Sequence, residues 1–253
     1  MNEQRDATNE TMSTAETLSA IFFEPTQTFD SLRERPRLFA ATLIVIAAAT
    51  LYNALLIQRI GYENLVRRSV EEAPRLSAMR QEEKEQIIQQ QLEKSVFKYL
   101  NYASPAIVVV VLLIVGAALY LAGALAMGGK MNYRQAFSVY VYSSLPPVVL
   151  KTIADAVTLF LQAPEEIDLA QARRGLARTN LGFLVDATAH PVLATLLGVI
   201  DLFGFYGLYL AAIGMGRVGR LSPAARWGVV LTIWLLGVAL RVLFALLAGT
   251  PMA

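Results

Sequence analysis

The sequence predicts an all-α integral membrane protein with five transmembrane helices. Hydrophobic residues make up 55% of the 253 residues and charged residues only 17%, whereas about a quarter of the residues are charged in an ordinary soluble domain. Five apolar stretches are each long enough to cross, as a helix, the roughly 30 Å hydrocarbon core of a bilayer. They lie at about residues 38–57, 105–127, 134–162, 191–215 and 227–248.

Residues 1–37, which precede the first of these stretches, are predicted to form a cytoplasmic segment with an amphipathic helix. Its first 13 residues are polar, and apolar side chains recur at helical spacing from Thr14 onwards. Bulky aromatic side chains next to arginines suit the headgroup region of a bilayer, where such a helix can lie in the interface. A packed cap on the end of the helix bundle is an equally good interpretation. The interfacial interpretation rests on Phe22, Phe23, Glu24, Pro25, Phe29, Arg33, Arg35 and Arg37.

The polar stretch at residues 59–104 is predicted to be a helical insertion outside the cytoplasm, within a membrane domain that comprises residues 38–253. The second half of this stretch is rich in Glu, Gln and Lys. One apolar stripe runs along it at helical spacing, which predicts a helix docked by a single face. The stripe consists of Ile88, Leu92, Val96 and Tyr99.

Two adjacent prolines, Pro146 and Pro147, lie in the middle of the third apolar stretch. Proline has no amide hydrogen, and its ring collides with the preceding turn, so we expect the third helix to be broken there. The carbonyls that the prolines free need partners inside the protein, because lipid offers none. The hydroxyl groups of Tyr140, Tyr142, Ser143 and Ser144 are the candidate partners.

Four ionisable residues fall within the predicted spans: Lys151, Asp155, Asp201 and Arg241. At about 1.5 Å of rise per residue, all four lie roughly 10–16 Å below the outer boundary of the membrane. An unpaired charge at that depth costs several kcal/mol. We therefore expect an interhelical ion pair between Asp201 and Arg241, beside a pair between Lys151 and Asp155 within one helix.

Two interpretations of this polar cluster remain open. The charges can act as structural contacts that fix the register of the helices. Alternatively, they can form a site for a substrate, an ion or a proton beside a broken helix, as transporters build such sites. The sequence has no repeated half, so the inverted repeat typical of transporters is not evident.

Small residues recur along the fourth apolar stretch at a spacing that places them on one helix face. Such a face allows two helices to approach closely in a membrane, so we interpret it as a packing surface. It consists of Gly204, Gly207, Ala211 and Gly214.

The distribution of basic residues predicts a cytoplasmic N-terminus and an extracytoplasmic C-terminus in the cytoplasmic (inner) membrane. Short cytoplasmic segments of membrane proteins are rich in Lys and Arg. With this orientation the cytoplasmic side carries Arg33, Arg35, Arg37, Lys130, Arg134, Arg217, Arg220 and Arg226.

Several classes of function find no support in the sequence. The chain has no cysteine and one histidine, His190, so a thiolate site or a multi-histidine metal site cannot form within one chain. No nucleophile, metalloprotease or phosphate-loop motif occurs. The net charge is +2, and the basic residues are scattered among acidic ones. The chain therefore has no basic surface of the kind that binds nucleic acid. We predict no catalytic residue, no cofactor, no metal and no nucleic-acid partner.

Three groups of residues, in order around the five stretches, resemble the Yip family of Ypt/Rab-interacting five-span membrane proteins, in its prokaryotic branch. They are Phe22-Phe23-Glu24-Pro25 with Phe29, Leu32 and Pro36; Tyr133-Arg134-Gln135-Ala136-Phe137 with Tyr142-Ser143-Ser144-Leu145-Pro146; and Asp201-Leu202-Phe203-Gly204 with Leu221-Ser222-Pro223-Ala224-Ala225-Arg226. The resemblance implies a cytoplasmic N-terminus and a five-helix domain. For eukaryotic members it implies binding of prenylated small GTPases, but their Asp-Leu-Tyr-Gly-Pro type motif is not evident here. It implies no established activity for prokaryotic members.

We therefore expect a non-enzymatic protein that organises the membrane or takes part in protein interactions. The lipid bilayer is one partner, and the sequence leaves open whether another is a different protein or a second copy of the chain. The alternative is a small transporter or channel subunit that uses the polar cluster at the third stretch.

Overall fold

The computed structural model describes residues 12–71, 73, 76–187 and 189–250. Residues 1–11 of the predicted cytoplasmic segment lie outside the described residues, as do residues 251–253 of the predicted membrane domain. Two 3₁₀ turns, Pro164–Glu166 and Leu181–Leu184, accompany the α-helices of the described chain. The α-helices are α1 (Thr14–Phe23), α2 (Pro25–Glu34), α3 (Phe39–Ile60), α4 (Tyr62–Glu71), α5 (Gln81–Glu93), α6 (Ser95–Ala126), α7 (Tyr133–Leu161), α8 (Leu169–Arg174), α9 (Pro191–Gly198), α10 (Leu202–Arg217) and α11 (Pro223–Ala248).

Among the described residues, four helices are long and apolar enough to cross a membrane. They are α3, α6, α7 and α11, with 22, 32, 29 and 26 residues. These helices coincide with four of the five apolar stretches of the sequence, which confirms the prediction of an all-α protein with membrane-spanning helices.

Helix α6 begins at Ser95, well before the predicted start of its apolar stretch, and continues through Pro105. The missing amide at position 105 leaves the carbonyl of Asn101 without its helical donor. The Asn53 side chain donates to this carbonyl at 2.9 Å, and the Ser104 hydroxyl donates to it at 3.2 Å. A neighbouring helix therefore helps to satisfy the backbone, as is usual for prolines inside membrane helices.

The predicted break at Pro146 and Pro147 is wrong, because α7 continues through both prolines. The fixed φ angle of proline is close to that of an α-helix, so a helix can accommodate the rings when its neighbours hold it in place. Helix α7 has such neighbours: it packs against α3, α6 and α10, and Leu145, next to the prolines, is 1% exposed. Tight packing on several sides keeps this helix continuous.

The serine hydroxyls before the prolines do not bind the carbonyls of residues 142 and 143, which lose their helical donors at Pro146 and Pro147. Ser143 and Ser144 both donate to the carbonyl of Tyr140, at 3.0 Å and 2.8 Å. The neighbouring Tyr142 is completely buried, and its hydroxyl has no hydrogen-bond partner among the described residues. The expected assignment of these three hydroxyls to the carbonyls freed by the prolines is therefore wrong.

The helix interruption lies in the fourth apolar stretch instead. Helix α9 ends at Gly198 and α10 begins at Leu202, so residues 191–215 form two helices rather than one. The chain here runs beside an upstream loop. The Leu202 amide donates to the Thr179 carbonyl at 3.1 Å, and the Leu181 amide donates to the Ile200 carbonyl at 3.2 Å. These backbone hydrogen bonds replace helical ones at the interruption.

Helices α1 and α2 pack against one end of the bundle, which we call the near end. The side chains of Ile21, Phe29 and Leu32 are completely buried there, in the core formed with α7 and α10. Arg217, at the end of α10, forms an ion pair with Asp30 of α2. The N-terminal helices are thus joined to the bundle by both apolar and charged contacts.

Helices α4, α5 and α8 lie at the opposite, far end of the bundle. Arg59 at the end of α3 donates to the carbonyl of Gln162 at 2.9 Å, which joins the far ends of α3 and α7. Ile88 of α5 is buried against α4, whereas Val96 and Tyr99 are 55% and 72% exposed. The predicted single apolar stripe is wrong beyond α5, because the chain leaves that helix at Lys94 and starts α6 in a new direction.

Small residues line the contact between α10 and its neighbours. A Cβ atom at Gly214 would lie 2.7 Å from Val139 Cγ1 of α7 and 2.9 Å from a ring carbon of Phe29. A Cβ atom at Gly207 would lie 3.3 Å from Pro147 Cγ. Ala211, between them, is 1% exposed. Backbone contact of this kind leaves no room for larger side chains.

We expect Gly214→Ala to lower the free energy of unfolding by about 1–3 kcal/mol, the usual cost of overpacking a close contact. The matched control is Gly228→Ala on α11, where an added Cβ meets nothing within 4 Å and the better helix propensity of alanine is free to act. Thermal unfolding in detergent measures both variants. Equal stability of the two variants would contradict the close approach of α10.

Candidate functional site

The main cavity among the described residues lies between α7, α10, α11 and the connection from α8 to α9. Its volume is about 740 Å³, within the range of small-molecule sites in proteins. One part of its wall is polar and carries charged side chains, and another is apolar, with Ile233 and Trp234 of α11. Three of the four ionisable residues predicted inside the membrane, Lys151, Asp201 and Arg241, line this cavity.

Lys151 and Asp155 lie one turn apart on α7 and form an ion pair. Lys151 Nζ is 3.1 Å from Asp155 Oδ2, although the angles are not those of a hydrogen bond. Asp155 does not line the cavity and is 4% exposed. Its other oxygen, Oδ1, accepts a hydrogen bond from the amide of Ala177 at 2.8 Å. The carboxylate thus joins α7 to the connection that follows α8.

Gly175 allows this connection to approach the ion pair. Its φ angle is +114°, which L side chains rarely adopt. A Cβ atom here would lie 1.9 Å from Lys151 Nζ and 3.0 Å from Asp155 Oδ2. Only glycine satisfies both the backbone angle and the space at this position.

Asp201 serves as the N-cap of α10. Its Oδ1 accepts a hydrogen bond from the Gly204 amide at 2.8 Å, and its Oδ2 accepts one from the Thr179 hydroxyl at 2.5 Å. A capping carboxylate satisfies a backbone amide that has no helical partner and interacts favourably with the helix dipole. Both oxygens of Asp201 therefore already have donors within the protein.

The predicted ion pair between Asp201 and Arg241 does not form. The carboxylate of Asp201 is held at the start of α10 by Thr179 and Gly204. No hydrogen bond and no ion pair connects the Arg241 guanidinium to another described residue. Arg241 is thus an exposed cation on the wall of the cavity, about 10 Å from the end of α11 at 1.5 Å per residue.

The other predicted residues divide between the cavity and the packing around it. Of the residues around the prolines, Ser143, Ser144 and Pro147 line the cavity, as do Gly204 and Gly207 of the small-residue face. Tyr142 lies in the main core instead. Ala211 and Gly214 lie farther along α10, in contact with its neighbours.

Charged residues at the end of α8 and in the connection from α8 to α9 also belong to the cavity wall, and the sequence did not predict them there. Arg174, Arg178 and Asp186 line the cavity, and Arg178 also lies over the ring of Phe183 at 5.6 Å. Burial lowers the pKa of the Arg174 guanidinium from its ordinary value, while the nearby carboxylate of Asp168 opposes that shift. The concentration of arginines in residues 165–190 was a signal that could have indicated this connection.

The residues of the predicted interfacial segment lie in α1, α2 and the turn that follows. Phe29 is completely buried, and Phe22 packs partly buried against the core, whereas Phe23 is 84% exposed. The Phe22 carbonyl accepts a hydrogen bond from the Tyr206 hydroxyl at 3.2 Å.

The polar residues of this segment hold the same helices in place. Pro25 opens α2 after Glu24, and the Arg33 carbonyl accepts a hydrogen bond from the Gln135 side chain at 2.8 Å. Arg37 donates to the Thr17 hydroxyl at 2.9 Å, whereas Arg35 lies at the end of α2.

A family model described as the Yip1 domain matches residues 19–246 of the chain. These residues include all helices from α2 to α10, the second half of α1 and most of α11. No curated protein matches the chain, and no solved structure does. The match covers the residues that carry the resemblance found in the sequence.

We expect Asp155→Asn to lower the free energy of unfolding by about 3 kcal/mol, because it leaves the ammonium group of Lys151 without its counterion. Asparagine keeps an oxygen for the Ala177 amide, so the change isolates the ion pair. The double variant Lys151→Met with Asp155→Asn removes both charges and is expected to recover most of the loss. Equilibrium unfolding in mixed micelles measures the cycle, and an additive double variant would contradict the coupling.

Proposed function

The chain belongs to the Yip1 domain family, and we propose that it is a non-enzymatic membrane protein that organises the bilayer or partner proteins at one membrane face. The docking of α1 and α2 on the near end carries this proposal. A disordered tail would leave Phe29 and Leu32 in solvent, but both are completely buried. The two helices therefore form a surface that is already ordered. Binding of a partner to such a surface costs little conformational entropy.

Exposed aromatic side chains at the near end favour the bilayer as the first partner of this surface. Phe23 at the end of α1 and Phe39 at the start of α3 are 84% and 83% exposed. Phenylalanine rings on a helix at the edge of a membrane protein are well suited to the boundary between head groups and acyl chains. With arginines at positions 33, 35 and 37 close by in the chain, the near end suits an interface with lipid head groups.

We further propose five membrane crossings, with α9 and α10 together forming the fourth crossing and the interruption inside it. Neither helix is long enough by itself, but residues 191–217 provide enough chain for an interrupted crossing. The end of α10 lies beside α2 at the near end. The basic residues of this end favour the cytoplasmic side of the inner membrane, and the motif order favours the prokaryotic branch of the family.

A small transporter or channel subunit is the second candidate function, and the cavity favours it. The cavity places charged side chains beside a helix interruption within the proposed membrane region. Transporters use interrupted helices in this way to bind polar substrates.

Single cysteines test the proposed topology, because the chain has none of its own. We expect Ser77→Cys and Ser222→Cys to react with an impermeant maleimide from opposite sides of the membrane, with Ser222→Cys on the cytoplasmic side. Labelling of both positions from one side would contradict the crossing by α9 and α10.

A second pair of cysteines tests lipid contact at the near end. A fluorophore on Phe23→Cys is expected to be quenched by nitroxide-labelled lipids in vesicles, because this position should lie among the head groups. The matched control is Gln89→Cys on the exposed face of α5, which should be quenched several-fold less. Equal quenching at the two positions would remove the support for a lipid-binding surface.

A further inference from the structure

We propose that the cavity binds a phosphate-type oxyanion, either on a phospholipid head group or free, and that Arg241 is its main contact. This inference deepens the second candidate function, since it names the class of ligand for the same cavity. It does not depend on the membrane-organising role.

The cations on the cavity wall differ in the partners that the protein gives them. Lys151 is neutralised by Asp155 at 3.1 Å. Arg174 has Asp168 nearby and takes part in a further interaction, and Arg178 lies over the Phe183 ring. Arg241 differs from these residues, because within the described chain it has no ion pair, no hydrogen bond and no aromatic ring to lie over.

The carboxylates of the cavity are committed to backbone amides rather than to Arg241. Asp168 accepts from the Gln171 amide at 3.1 Å and Asp201 from the Gly204 amide at 2.8 Å, so each caps the start of a helix. Asp186 accepts from the amide of Ala189 at 3.2 Å. Moving any of them to Arg241 would leave an amide without its acceptor, which costs about as much as the new bond gains.

An isolated guanidinium inside a membrane domain is costly, so an anion from outside the protein is the natural counterion. Arginine binds phosphate and carboxylate groups through two parallel N–H donors, and these charge-assisted bonds are the strongest that a neutral-pH site can offer. Tyr140, which lines the same cavity, carries a hydroxyl that can add a further donor.

The rest of the wall favours a phosphate that is attached to an apolar body. The cavity is also lined by the apolar side chains of Leu208, Val230, Ile233 and Trp234, the last three on the same helix as Arg241. A phospholipid can place its phosphate at Arg241 and the start of its acyl chains along these side chains. A free phosphate would use the polar part alone, so the two sources are distinguishable by experiment.

Two glycines of α11 provide a variant and its control. Gly237 lines the cavity one turn before Arg241, and an added Cβ there meets nothing within 4 Å. Gly237→Leu is therefore expected to fill the cavity without disturbing the helix. Gly228 also has nothing within 4 Å but does not line the cavity, so Gly228→Leu is the matched control. Arg241→Gln removes the charge itself.

Binding is measured by native mass spectrometry and thermal shift on the full chain in neutral detergent, with phosphatidylglycerol, inorganic phosphate or diacylglycerol added. We expect affinity for a phosphate-bearing probe to fall at least about tenfold in Arg241→Gln, as for the loss of a charge-assisted hydrogen bond. Gly237→Leu should lose affinity similarly, and Gly228→Leu should bind like the wild type. Binding of phosphatidylglycerol alone identifies the head group as the source, and binding of both identifies the free anion as a ligand as well.

The proposal is overturned if the wild type binds neither phosphate probe, if diacylglycerol binds as well as phosphatidylglycerol, or if folded Arg241→Gln binds like the wild type. If Arg241→Gln does not fold, Gly237→Leu decides the outcome alone. Uptake of inorganic phosphate into proteoliposomes is measured in parallel. Binding without uptake would contradict the transport function while leaving the oxyanion site in place.

Discussion

Backbone amides and carbonyls that lack a helical partner set the position of many polar side chains in this protein. Lipid offers no hydrogen bonds, so each proline and each helix end must find its partners within the protein. Asn53 and Ser104 supply them where Pro105 interrupts the bonding of α6, and Asp201 supplies one at the start of α10. Polar residues in the apolar helices are therefore placed where the backbone needs them.

The cavity is a consequence of the same constraint. Because the chain is not helical between α9 and α10, its backbone there bonds to residues 179 and 181 of the preceding connection. This contact, together with the bond from Ala177 to Asp155, brings the connection against α7. Arg174 at the end of α8 and Arg178 in the connection thus reach the same space as Lys151 and Arg241. An interruption in one helix, rather than a break in α7, creates the polar site.

The N-terminal helices combine features of both interpretations that the sequence left open. Ile21, Phe29 and Leu32 form a cap on the bundle, whereas Phe23 remains exposed. Residues that are close together in the chain can face different sides, because the helical repeat directs adjacent side chains away from each other. One segment can therefore dock on the protein with one face and still present an aromatic ring outward.

Local composition and length predict the helical membrane class and the four long apolar helices, three of whose charged residues, Lys151, Asp155 and Arg241, were selected from the sequence. Which helix interruptions form depends on the packing of distant parts of the chain. Packing on several sides keeps α7 helical through Pro146 and Pro147, whereas α9 ends at Gly198 beside a passing loop and α10 starts anew with the Asp201 carboxylate as its cap. Long-range folding also sets the partners of the charges. The Lys151–Asp155 pair is local and follows from the helical repeat, and so does the cap of Asp201 on the Gly204 amide. The second oxygen of Asp201 is occupied by the hydroxyl of Thr179, which only long-range folding brings to it.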